Sequence, residues 1–574
     1  MGKAILTVLE IAHKNAKLWT SSFFDEATRA EAQRLIDLGG DELIEPFYKD
    51  LDFGTGGMRG IMGAGTNRIN PYTLGAATTG LVNYAKVTFG RTDLKAAIAF
   101  DSRNNSKEFA RKVAEVLSAN DVHTYLFEEL RPTPELSFAV RELGCDFGIV
   151  LTASHNPKEY NGYKVYWDDG GQLVPPHDHG VIENVRATRF EDINWNANED
   201  LIELLDSSMD KKYIDMVANL TINNIGKDEL HVVFTALHGT SIVSVPPALA
   251  QAGFKNVQIV EKQAVPDGNF PTVASPNPEE SAALAMAVAQ AEATNADLVI
   301  GCDPDTDRIG IAVNDGTGSM QLLNGNDTAA LLVHYILSQK IAKGEMPSNA
   351  FTAATIVTTD LIADISEKFG LPCYRCLTGF KWIADLIKNK PGEKFIVGGE
   401  ESYGYMVGDA VRDKDAVASA VMISEMAAYA KSKGKTVLQQ LEDIHREFGQ
   451  YQERLISITK HGRSGAEEIA VMMTSLRNNP PQVLGGSPVS IAIDHSVSQQ
   501  KDLRTGAIVS TELPSSNVLQ FITEAGDKVS ARPSGTEPKI KFYFSVRKAT
   551  RKSHAETKNE LELKIDTFIR ELDL

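Results

Sequence analysis

A serine in the segment TASHNP stands where an exposed nucleophile or a phosphate acceptor could act. Ser154 follows the apolar run FGIVL (147–151), which predicts a buried strand, and His155 is its neighbour. A hydroxyl at such a position can carry a transferred group. A serine hydrolase is disfavoured, because adjacent side chains point apart on an extended chain and the GxSxG motif is missing. An Asn-Pro turn with a capping serine is the structural alternative.

Three carboxylates alternate in the segment DPDTDR, directly after the apolar run DLVIG (297–301). On an extended loop Asp303, Asp305 and Asp307 would project to one side and gather around a hard cation such as Mg²⁺ or Ca²⁺. A calcium EF-hand is excluded because Arg308 stands where that loop needs glycine. A solvated acidic turn is the alternative. The adjacent arginine suits an anionic ligand, since a guanidinium binds phosphate with two parallel hydrogen bonds.

Two further loops have the composition of anion-binding sites. The segment RPSGTEP (532–538) combines an arginine, two hydroxyls and a glycine that exposes backbone N–H groups, although a β-hairpin turn would use similar residues. The segment FGTGGMRG (53–60) could hold an anion near Arg59. It does not match GxGxxG, and the GKT segment at 434–436 lacks the first glycine of a Walker A loop. No nucleotide is therefore indicated.

The segment GEESYG (399–404) offers two carboxylates and a hydroxyl after an apolar run. Such groups suit sugar hydroxyls, which both donate and accept hydrogen bonds. The alternative is a helix N-terminus, where acidic residues are favoured by the helix dipole. The segment CYRC (373–376) has CxxC spacing, but there is no second pair of cysteines and no thioredoxin pattern, so ordinary packing is favoured.

The elements that must position these loops are short apolar runs that alternate with helical patterns. This alternation predicts α/β domains with mostly parallel sheets, in which functional loops follow the carboxyl ends of strands. The predicted strands are 96–100, 147–151, 231–237, 297–301, 309–313, 394–399, 528–532 and 539–546.

The length of 574 residues predicts about four domains, at about 150 residues each. An acidic, Asn-rich stretch at 190–212 and a β-rich region after Phe448 indicate two of the boundaries. The expected domains are 1–205, 206–320, 321–447 and 448–574.

Composition excludes several classes of protein. Hydrophobic residues make up 43%, which is ordinary for a globular protein, and the net charge is −18. This excess of negative charge argues against binding to nucleic acid or to an anionic membrane surface. Four cysteines are too few for a secreted disulfide framework, and the chain shows no membrane-spanning stretch and no signal peptide. A cytoplasmic location is expected.

Taken together and in this order, the motifs FGTGGMRG, TASHNP, DPDTDR, GEESYG and RPSGTEPK resemble those of the α-D-phosphohexomutase family, which includes phosphoglucomutases and phosphomannomutases. The resemblance spans most of the chain. It implies an α/β protein of four domains around a central cleft: three related α/β units with mixed sheets and a C-terminal α+β domain. It also implies an isomerase that moves a phosphoryl group within a sugar phosphate.

The resemblance implies a role for each motif residue. Ser154 resembles the phosphoserine that donates and recovers the phosphate, and Lys164, in NGYK (161–164), resembles a candidate general base. The candidate catalytic residues are Ser154, Lys164, His155 and Arg59. The candidate metal ligands are Ser154, through its phosphate, and Asp303, Asp305 and Asp307. The candidate substrate contacts are Arg308, Thr378, Gly379, Lys381, Glu400, Ser402, Arg532, Ser534, Gly535 and Thr536.

The resemblance implies a different role for each group of substrate contacts. Glu400 and Ser402 match the contacts to sugar hydroxyls, and TGFK (378–381) resembles a loop that helps to choose the sugar orientation. The RPSGT segment (532–536) matches the loop that holds the distal phosphate.

The implied reaction passes through a bound hexose 1,6-bisphosphate that returns its other phosphate to Ser154. One Mg²⁺ per chain and glucose 1,6-bisphosphate, or a related bisphosphate, as activator are expected. A lysine can act as the base only if its pKa is lowered from about 10.4.

Alternatives remain open at this point. The LDFGTGGMRG and TGFKW versions of the motifs resemble most closely the subgroup of phosphopentomutases and glucose-1,6-bisphosphate synthases, so glucose, mannose and ribose phosphates are all candidate substrates. Tyr405 stands where some members have a histidine, which leaves the second acid/base group unassigned.

A phosphatase of the haloacid-dehalogenase type would instead form an aspartyl phosphate on Asp303, and a non-enzymatic paralogue would have lost the nucleophile or the metal ligands. The sequence does not assign an oligomeric state.

Overall fold

The computed structural model describes residues 7–54, 56–460, 462–534, 538–549 and 553–574. The chain divides into two compact units. The first runs to Leu323 and includes Ala384–Pro391 and Gly404–Ser432. The second comprises Asn324–Ile383, Gly392–Tyr403 and the chain from Lys433 onward. The first unit is therefore discontinuous in sequence.

The first sheet lies in the first unit. Its strands are β1 (Gly57–Ile61), β2 (Lys95–Phe100), β3 (His123–Phe127), β4 (Phe147–Leu151), β5 (Tyr160–Trp167) and β6 (Ile202–Leu205). The helices before and around it are α1 (Val8–Leu18), α2 (Glu26–Leu38), α3 (Gly40–Phe47), α4 (Pro71–Phe89), α5 (Ser106–Ala119), α6 (Thr133–Glu142) and α7 (His177–Ala187). The strand order is β1-β5-β4-β2-β3-β6. Strand β5 is antiparallel to both of its neighbours, β1 and β4, whereas the β4–β2, β2–β3 and β3–β6 pairs are parallel.

Local sequence explains these elements. All five residues of β4 are buried, as expected for a central strand covered by helices on both faces. Helix α5 buries Phe109, Val113 and Leu117, which recur at helical spacing on one side. Helix α4 begins where Asn70 caps the first turn and Pro71 occupies the first helical position.

The second sheet also lies in the first unit. Its strands are β7 (His231–Thr235), β8 (Asn256–Ile259), β9 (Leu298–Cys302), β10 (Ile309–Asn314) and β11 (Met320–Leu323), and its helices are α8 (Ser207–Ala218), α9 (Val245–Gln251) and α10 (Ser281–Thr294). The strand order is β11-β10-β9-β7-β8. Strands β9 and β10 are antiparallel because the connection at 303–308 is too short for the crossover that parallel neighbours require. The two sheets are thus mixed rather than wholly parallel.

The third group of elements contains β12 (Ala350–Thr355), β13 (Cys373–Cys376), β14 (Lys394–Gly399) and β15 (Tyr405–Val407), with α11 (Gly325–Ala342), α12 (Leu361–Lys368), α13 (Lys381–Lys388), α14 (Ala416–Ser432) and α15 (Val437–Phe448). In the second unit, β12 pairs in parallel with β13 and with β14. Strand β15 and helix α14 belong to the first unit.

The C-terminal region is built from antiparallel strands. They are β16 (Gln450–Thr459), β17 (Val483–Leu484), β18 (Ser487–Asp494), β19 (Gln499–Asp502), β20 (Ile508–Ser510), β21 (Leu519–Thr523), β22 (Lys528–Pro533) and β23 (Lys539–Lys548). Helices α16 (Gly462–Asn478) and α17 (His554–Glu571) accompany them. The core between sheet and helices includes Phe521, Phe542, Phe544 and Phe568. The predicted β-rich region after Phe448 is confirmed.

The predicted strands correspond to β2, β4, β7, β9, β10, β14, β22 and β23, with ends that differ by a few residues at most. Among the described residues, no helix is both long and apolar enough to cross a membrane. The four cysteines are free thiols, and the CxxC pair lies within β13.

Candidate active site

The Ser154 hydroxyl is held against an acidic loop. Ser154 is 4% exposed, and its Oγ donates a 2.6 Å hydrogen bond to Oδ2 of Asp303. Nδ1 of His155 lies 3.2 Å from the same Oγ, and the backbone N–H of Ser154 donates to Oγ1 of Thr152. The serine has a φ of +51°, in the left-handed region, which costs an L-residue about 1–2 kcal/mol. The loop after β4 is therefore fixed in one conformation that aims the hydroxyl at the aspartates.

The acidic loop is the tight turn between β9 and β10. Oδ1 of Asp303 accepts hydrogen bonds from the backbone N–H groups of Asp307 at 3.1 Å and Arg308 at 3.0 Å. This folding gathers Asp303, Asp305 and Asp307, and one carboxylate oxygen of each lies within 4.8 Å of the others. All three side chains are buried. The three predicted metal ligands thus converge, and Ser154 lies beside them.

Two lysines lie against the aspartates. Nζ of Lys164, on β5, is 2.7 Å from Oδ2 of Asp305 and 3.2 Å from Oδ2 of Asp307. Nζ of Lys414 is also 3.2 Å from Oδ2 of Asp307. The two ammonium groups supply positive charge that three buried carboxylates need.

The pKa values of these groups follow from burial and from their neighbours. Burial raises the pKa of Asp303 well above its usual range, and the charges of Asp305 and Asp307 raise it further. Burial also acts to raise the pKa of Asp307, but Lys164 and Lys414 outweigh it and hold that pKa below its usual range.

The pKa of Lys164 is raised. Burial acts to lower it, but the attraction of Asp305 and Asp307 is stronger. In this arrangement Lys164 is an ammonium ion rather than the deprotonated amine that a general base requires. His155 behaves in the opposite way: burial, with the charges of Arg308 and Arg59, lowers its pKa to about 3. His155 is therefore a neutral imidazole beside the serine at neutral pH.

The aspartates fit a divalent cation. Oδ1 of Asp305 and Oδ1 of Asp307 are buried, and neither has a hydrogen-bond partner among the described residues. Buried carboxylate oxygens rarely stay without partners unless an ion or water occupies the site. A set of oxygen donors with no nitrogen or sulfur suits a hard cation such as Mg²⁺ or Ca²⁺.

Arginines line the same region. Arg59 lies on β1 opposite Gly162 of β5, and its Nη1 donates to Oδ1 of Asn156 at 3.1 Å. Nη1 of Arg308 lies 2.5 Å from Oε1 of Glu279. Both guanidinium groups act on the pKa of His155, so both lie near the serine. An anionic group at Ser154 would therefore meet positive charge.

Sequence reasoning missed several residues of this site. Thr133 donates from its Oγ1 to Oδ2 of Asp305 at 3.1 Å, and its backbone N–H donates to the Asp305 carbonyl. Arg103 is buried beneath the serine loop. Thr133 begins α6, the helix that follows the parallel strand β3, and Arg103 lies in the loop after the parallel strand β2. The rule that functional residues follow strand ends could therefore have found both. Lys414 lies in the segment RDKD, which carries no such signal.

The second unit brings together another part of the predicted set. Oε1 of Glu400, after β14, accepts a 2.9 Å hydrogen bond from the backbone N–H of Gly379. Oγ1 of Thr378 is buried without a hydrogen-bond partner among the described residues. Nζ of Lys381 lies 5.1 Å from the ring centroid of Trp382. The TGFK and GEESYG segments therefore meet within this unit, as sugar-binding loops would need to, and Ser402 lies in the second of them.

Arg532 belongs to the same unit. It lies on β22 opposite Lys541 of β23, and its side chain interacts with the hydroxyl of Tyr543. Burial raises the pKa of Tyr543, and so does the charge of Glu401, the neighbour of Glu400. Arg532 and the GEESYG segment thus both lie near Tyr543. The backbone N–H of Ser534 donates to the carbonyl of Lys539 at 2.7 Å. Gly535 and Thr536 lie outside the described residues.

Family models match three successive parts of the chain. The models described as phosphoglucomutase/phosphomannomutase, alpha/beta/alpha domains I, II and III, match residues 50–192, 211–316 and 324–448. A phosphoglucomutase of Staphylococcus haemolyticus is 37% identical over 506 residues, which cover 87% of this chain and 91% of that protein. A phosphoglucomutase of Staphylococcus aureus is 37% identical over 542 residues, which cover 94% of this chain and 96% of that protein.

A solved structure shows the same fold at lower identity. The open form of parafusin, an exocytosis-sensitive phosphoprotein and phosphoglucomutase from Paramecium, matches with a TM-score of 0.67 at 18% identity and covers 92% of this chain and 96% of that one. With three α/β domains and a C-terminal domain of antiparallel strands, the chain belongs to the phosphoglucomutase/phosphomannomutase family.

Proposed function

We propose that this hexose phosphate mutase interconverts glucose 1-phosphate and glucose 6-phosphate through a phosphoryl group carried on Ser154. The observation that carries the proposal is the 2.6 Å hydrogen bond from Ser154 Oγ to Asp303 within a buried cluster of three aspartates. The relatives at 37% identity are phosphoglucomutases, which favours glucose phosphates as substrates.

In the proposed reaction, a hydroxyl of the sugar monophosphate attacks the phosphorus on Ser154. The bond from phosphorus to Ser154 Oγ breaks, a bond to the sugar oxygen forms, and the hydroxyl proton passes to a base. The bisphosphate then turns over and returns its other phosphoryl group to Ser154. Arg59 and Arg308 hold the anionic group, since a guanidinium pairs with phosphate oxygens.

Lys164 is the candidate base, and its ion pairs define the condition for that role. Its ammonium is stabilised by Asp305 and Asp307. It can accept a proton only when those carboxylates no longer hold its charge. His155, neutral and beside Ser154 Oγ, brings no positive charge to the site and is proposed to orient the serine.

The cation proposed for the aspartates is one Mg²⁺ per chain. Asp303, Asp305 and Asp307 would hold it, with a phosphate on Ser154 as a further ligand, and it would neutralise charge on the transferred group. Asp305 Oδ1 and Asp307 Oδ1 accept no hydrogen bond from the described residues, which supports this assignment.

The predicted substrate contacts other than Arg308 are proposed to bind the sugar and its second phosphate. Glu400 and Ser402 bind sugar hydroxyls, and Thr378, Gly379 and Lys381 select the sugar orientation. Arg532, Ser534, Gly535 and Thr536 bind the phosphate that is not reacting. Binding energy from this remote phosphate supports either orientation of the bisphosphate.

A hexose 1,6-bisphosphate, glucose 1,6-bisphosphate in the first instance, is proposed as the activator that phosphorylates Ser154. Phosphopentomutase and glucose-1,6-bisphosphate synthase activities are the alternatives to be tested. An aspartyl-phosphate mechanism is disfavoured, because both oxygens of Asp303 already accept hydrogen bonds.

The four segments 1–205, 206–320, 321–447 and 448–574 are proposed as the domains. The first two family models lie within 1–205 and 206–320, and the third lies within 321–447 apart from its last residue. The proposed location is the cytoplasm, with phosphorylated sugars as partners and without nucleic acid, nucleotide or membrane.

The test is a coupled assay with Mg²⁺ and glucose 1,6-bisphosphate that compares the 1-phosphates of glucose, mannose and ribose. The proposal expects the highest kcat/KM for glucose 1-phosphate. A higher value for ribose 1-phosphate would identify a phosphopentomutase. Phosphate on Asp303 instead of Ser154, located by mass spectrometry, would contradict the mechanism.

A further inference from the structure

Arg103 is a buried arginine whose charged group lies under the serine loop. Each of its four Nη hydrogens has a backbone carbonyl to donate to. Nη2 donates to Ser154 at 2.6 Å and to Asn156, and Nη1 donates to Pro157 at 2.8 Å and to Tyr160 at 2.9 Å. One side chain therefore hydrogen-bonds along the whole loop from the serine to the start of β5.

The arginine is itself held at the end of β2. Its Nε lies 3.5 Å from Oδ2 of Asp101, and both side chains are fully buried. Oδ1 of Asp101 accepts from the backbone N–H of Arg103 at 2.9 Å and from Oγ of Ser106 at 2.8 Å. The guanidinium is thus pre-oriented by the sheet, so it can impose a position on the loop above it.

The serine loop needs such support. Ser154 has a φ of +51°, and an L-residue persists in that region only when its surroundings determine it. The Arg103 hydrogen bond to the Ser154 carbonyl fixes the peptide plane that follows Cα. Because Cα and that plane together set the direction of Cβ, the hydrogen bond also sets the direction of the Cα–Cβ bond that carries Oγ.

The other side of Arg103 contacts the second sheet's domain. Its guanidinium carbon lies 5.1 Å from the ring centroid of Phe270. Next to that ring, Gly268 approaches the backbone of Asn104 so closely that a Cβ there would lie 2.3 Å from the Asn104 nitrogen. Cations over aromatic faces are attracted by the ring quadrupole, more strongly where water is excluded.

The segment that carries Phe270 leads to the back of the acidic loop. The backbone N–H of Asp267 donates to the His238 carbonyl, and Nε2 of His238 lies 2.9 Å from Oγ1 of Thr272. Thr240, two residues after His238, donates to the carbonyl of Pro304, inside DPDTDR. A continuous set of contacts therefore runs from Arg103 to the loop that holds the aspartates.

We propose that Arg103 is a positioning residue that, together with Phe270, keeps Ser154 in register with Asp303. The proposal rests on the proposed function, because it assigns Arg103 to the alignment of the phosphate-carrying serine. Arg103 does not touch the reacting atoms. Its effect is expected in the rate of phosphoryl transfer and not in the binding of the sugar.

The test compares Arg103→Lys, Arg103→Ala and Phe270→Leu with Arg111→Lys as a matched control. Arg111 lies on α5 and pairs with surface carboxylates. A lysine keeps the charge of Arg103 but cannot reach four carbonyls, so we expect kcat to fall by roughly 10²-fold while KM changes little. Phosphate on Ser154 after incubation with glucose 1,6-bisphosphate, measured by intact mass, should accumulate more slowly by the same factor.

Two further measurements separate alignment from general damage. Guanidinium chloride, well below its denaturing range, should restore part of the Arg103→Ala rate and none of the Arg103→Lys rate. The Phe270→Leu change should lower kcat by a smaller factor in the Arg103→Lys background than in the wild-type background, because the two residues act through one contact. If Arg103→Ala does not fold, the lysine and leucine variants carry the test.

The proposal is overturned if Arg103→Lys retains the wild-type kcat, if only KM changes, or if the two changes are strictly additive. Those results leave the mutase intact and reject only the role of Arg103. Failure of the wild-type protein to take phosphate onto Ser154 would instead reject the proposed function, and with it this assignment.

Discussion

Ser154 Oγ and Asp303 Oδ2 are 2.6 Å apart, although the two residues follow strands of different sheets, β4 and β9. The contact joins the proposed nucleophile of one α/β domain to the proposed cation-binding loop of the next. Chemistry at Ser154 therefore depends on the relative position of two domains within the first unit.

Ser154→Ala is expected to abolish turnover. Removing the oxygen that carries the phosphoryl group leaves no route through a phosphoenzyme, and kcat should fall by at least roughly 10⁴-fold. The coupled assay measures the loss, and Ser208→Ala, at an exposed position on α8, is the control. A retained rate in Ser154→Ala would contradict the assignment of the nucleophile.

Removal of the cation is expected to stop activity without unfolding the protein. Lys164 and Lys414 neutralise Asp305 and Asp307 in its absence, so the EDTA-treated chain should stay folded at 25 °C. At a Mg²⁺ concentration 100 times its dissociation constant, binding should stabilise the folded state by about 2.7 kcal/mol.

Thermal denaturation with and without Mg²⁺ checks this expectation. Asp305→Asn and Asp307→Asn should lose most of the stabilisation by Mg²⁺, whereas Asp315→Asn, in an exposed turn, should keep it. Equal stabilisation of all three variants would place the cation elsewhere.

The sequence predicted those parts of the fold and site that depend on local pattern. The apolar runs before Ser154 and Asp303 identified β4 and β9, and the polar loops that follow them do converge. Local pattern could not predict Lys414, because its contact with Asp307 joins segments that are distant in the chain. Nor could it show that β10 returns antiparallel to β9 and so tightens the acidic loop.

Asp415 is expected to make stability depend on pH in a definite direction. It is 1% exposed, lies directly before α14, and accepts hydrogen bonds from the Ala418 N–H and the Tyr213 hydroxyl. Burial raises its pKa from 3.8 to about 6, against the smaller opposing effect of these bonds. Because the unfolded chain loses this proton first, stability falls as pH rises from about 4 to about 6, by about 3 kcal/mol, and is flat above.

Asp415→Asn should remove this dependence, since asparagine caps a helix as well as aspartate does. The thermal midpoint of the variant, relative to wild type, should rise between about pH 4 and pH 6 and then stay constant. Asp206→Asn is the control: Asp206 caps α8 in solvent with a lowered pKa, so its effect should not vary over that range. A difference in thermal midpoint between Asp415→Asn and wild type that does not change with pH would contradict the argument.

Lys528 and Asp360 form an ion pair, and removing Asp360 is expected to cost more stability than removing Lys528. Nζ of Lys528 lies 2.9 Å from both carboxylate oxygens of Asp360, and Lys528 is 7% exposed. Asp360→Ala leaves a buried ammonium without its partner, at a cost of about 2 kcal/mol once the partial exposure of Asp360 is allowed for. Lys528→Met should cost less, because Arg375 still pairs with Asp360. Thermal denaturation ranks the two variants, with Lys548→Met as an exposed control.

Arg532→Lys is expected to weaken substrate binding. An ammonium cannot reproduce the planar pair of hydrogen bonds that a guanidinium makes to phosphate, so KM should rise roughly 10-fold with little change in kcat. Steady-state kinetics with glucose 1-phosphate measure both constants. Arg504→Lys, at an exposed position, should leave both unchanged. A fall in kcat alone would show that Arg532 acts in the phosphoryl-transfer step rather than in binding the phosphate that is not reacting.

The discontinuity of the first unit has a consequence for synthesis on the ribosome. Asp307 is made well before Lys414, which belongs to the same unit and lies 3.2 Å from it. At 5–20 residues per second the delay is roughly 5–20 s. During that interval the nascent chain carries its acidic loop without this counter-charge. The first unit cannot be completed before Asn324–Ile383 and Gly392–Tyr403 of the second unit have been translated, and a fragment that stops at Leu323 should not reproduce it.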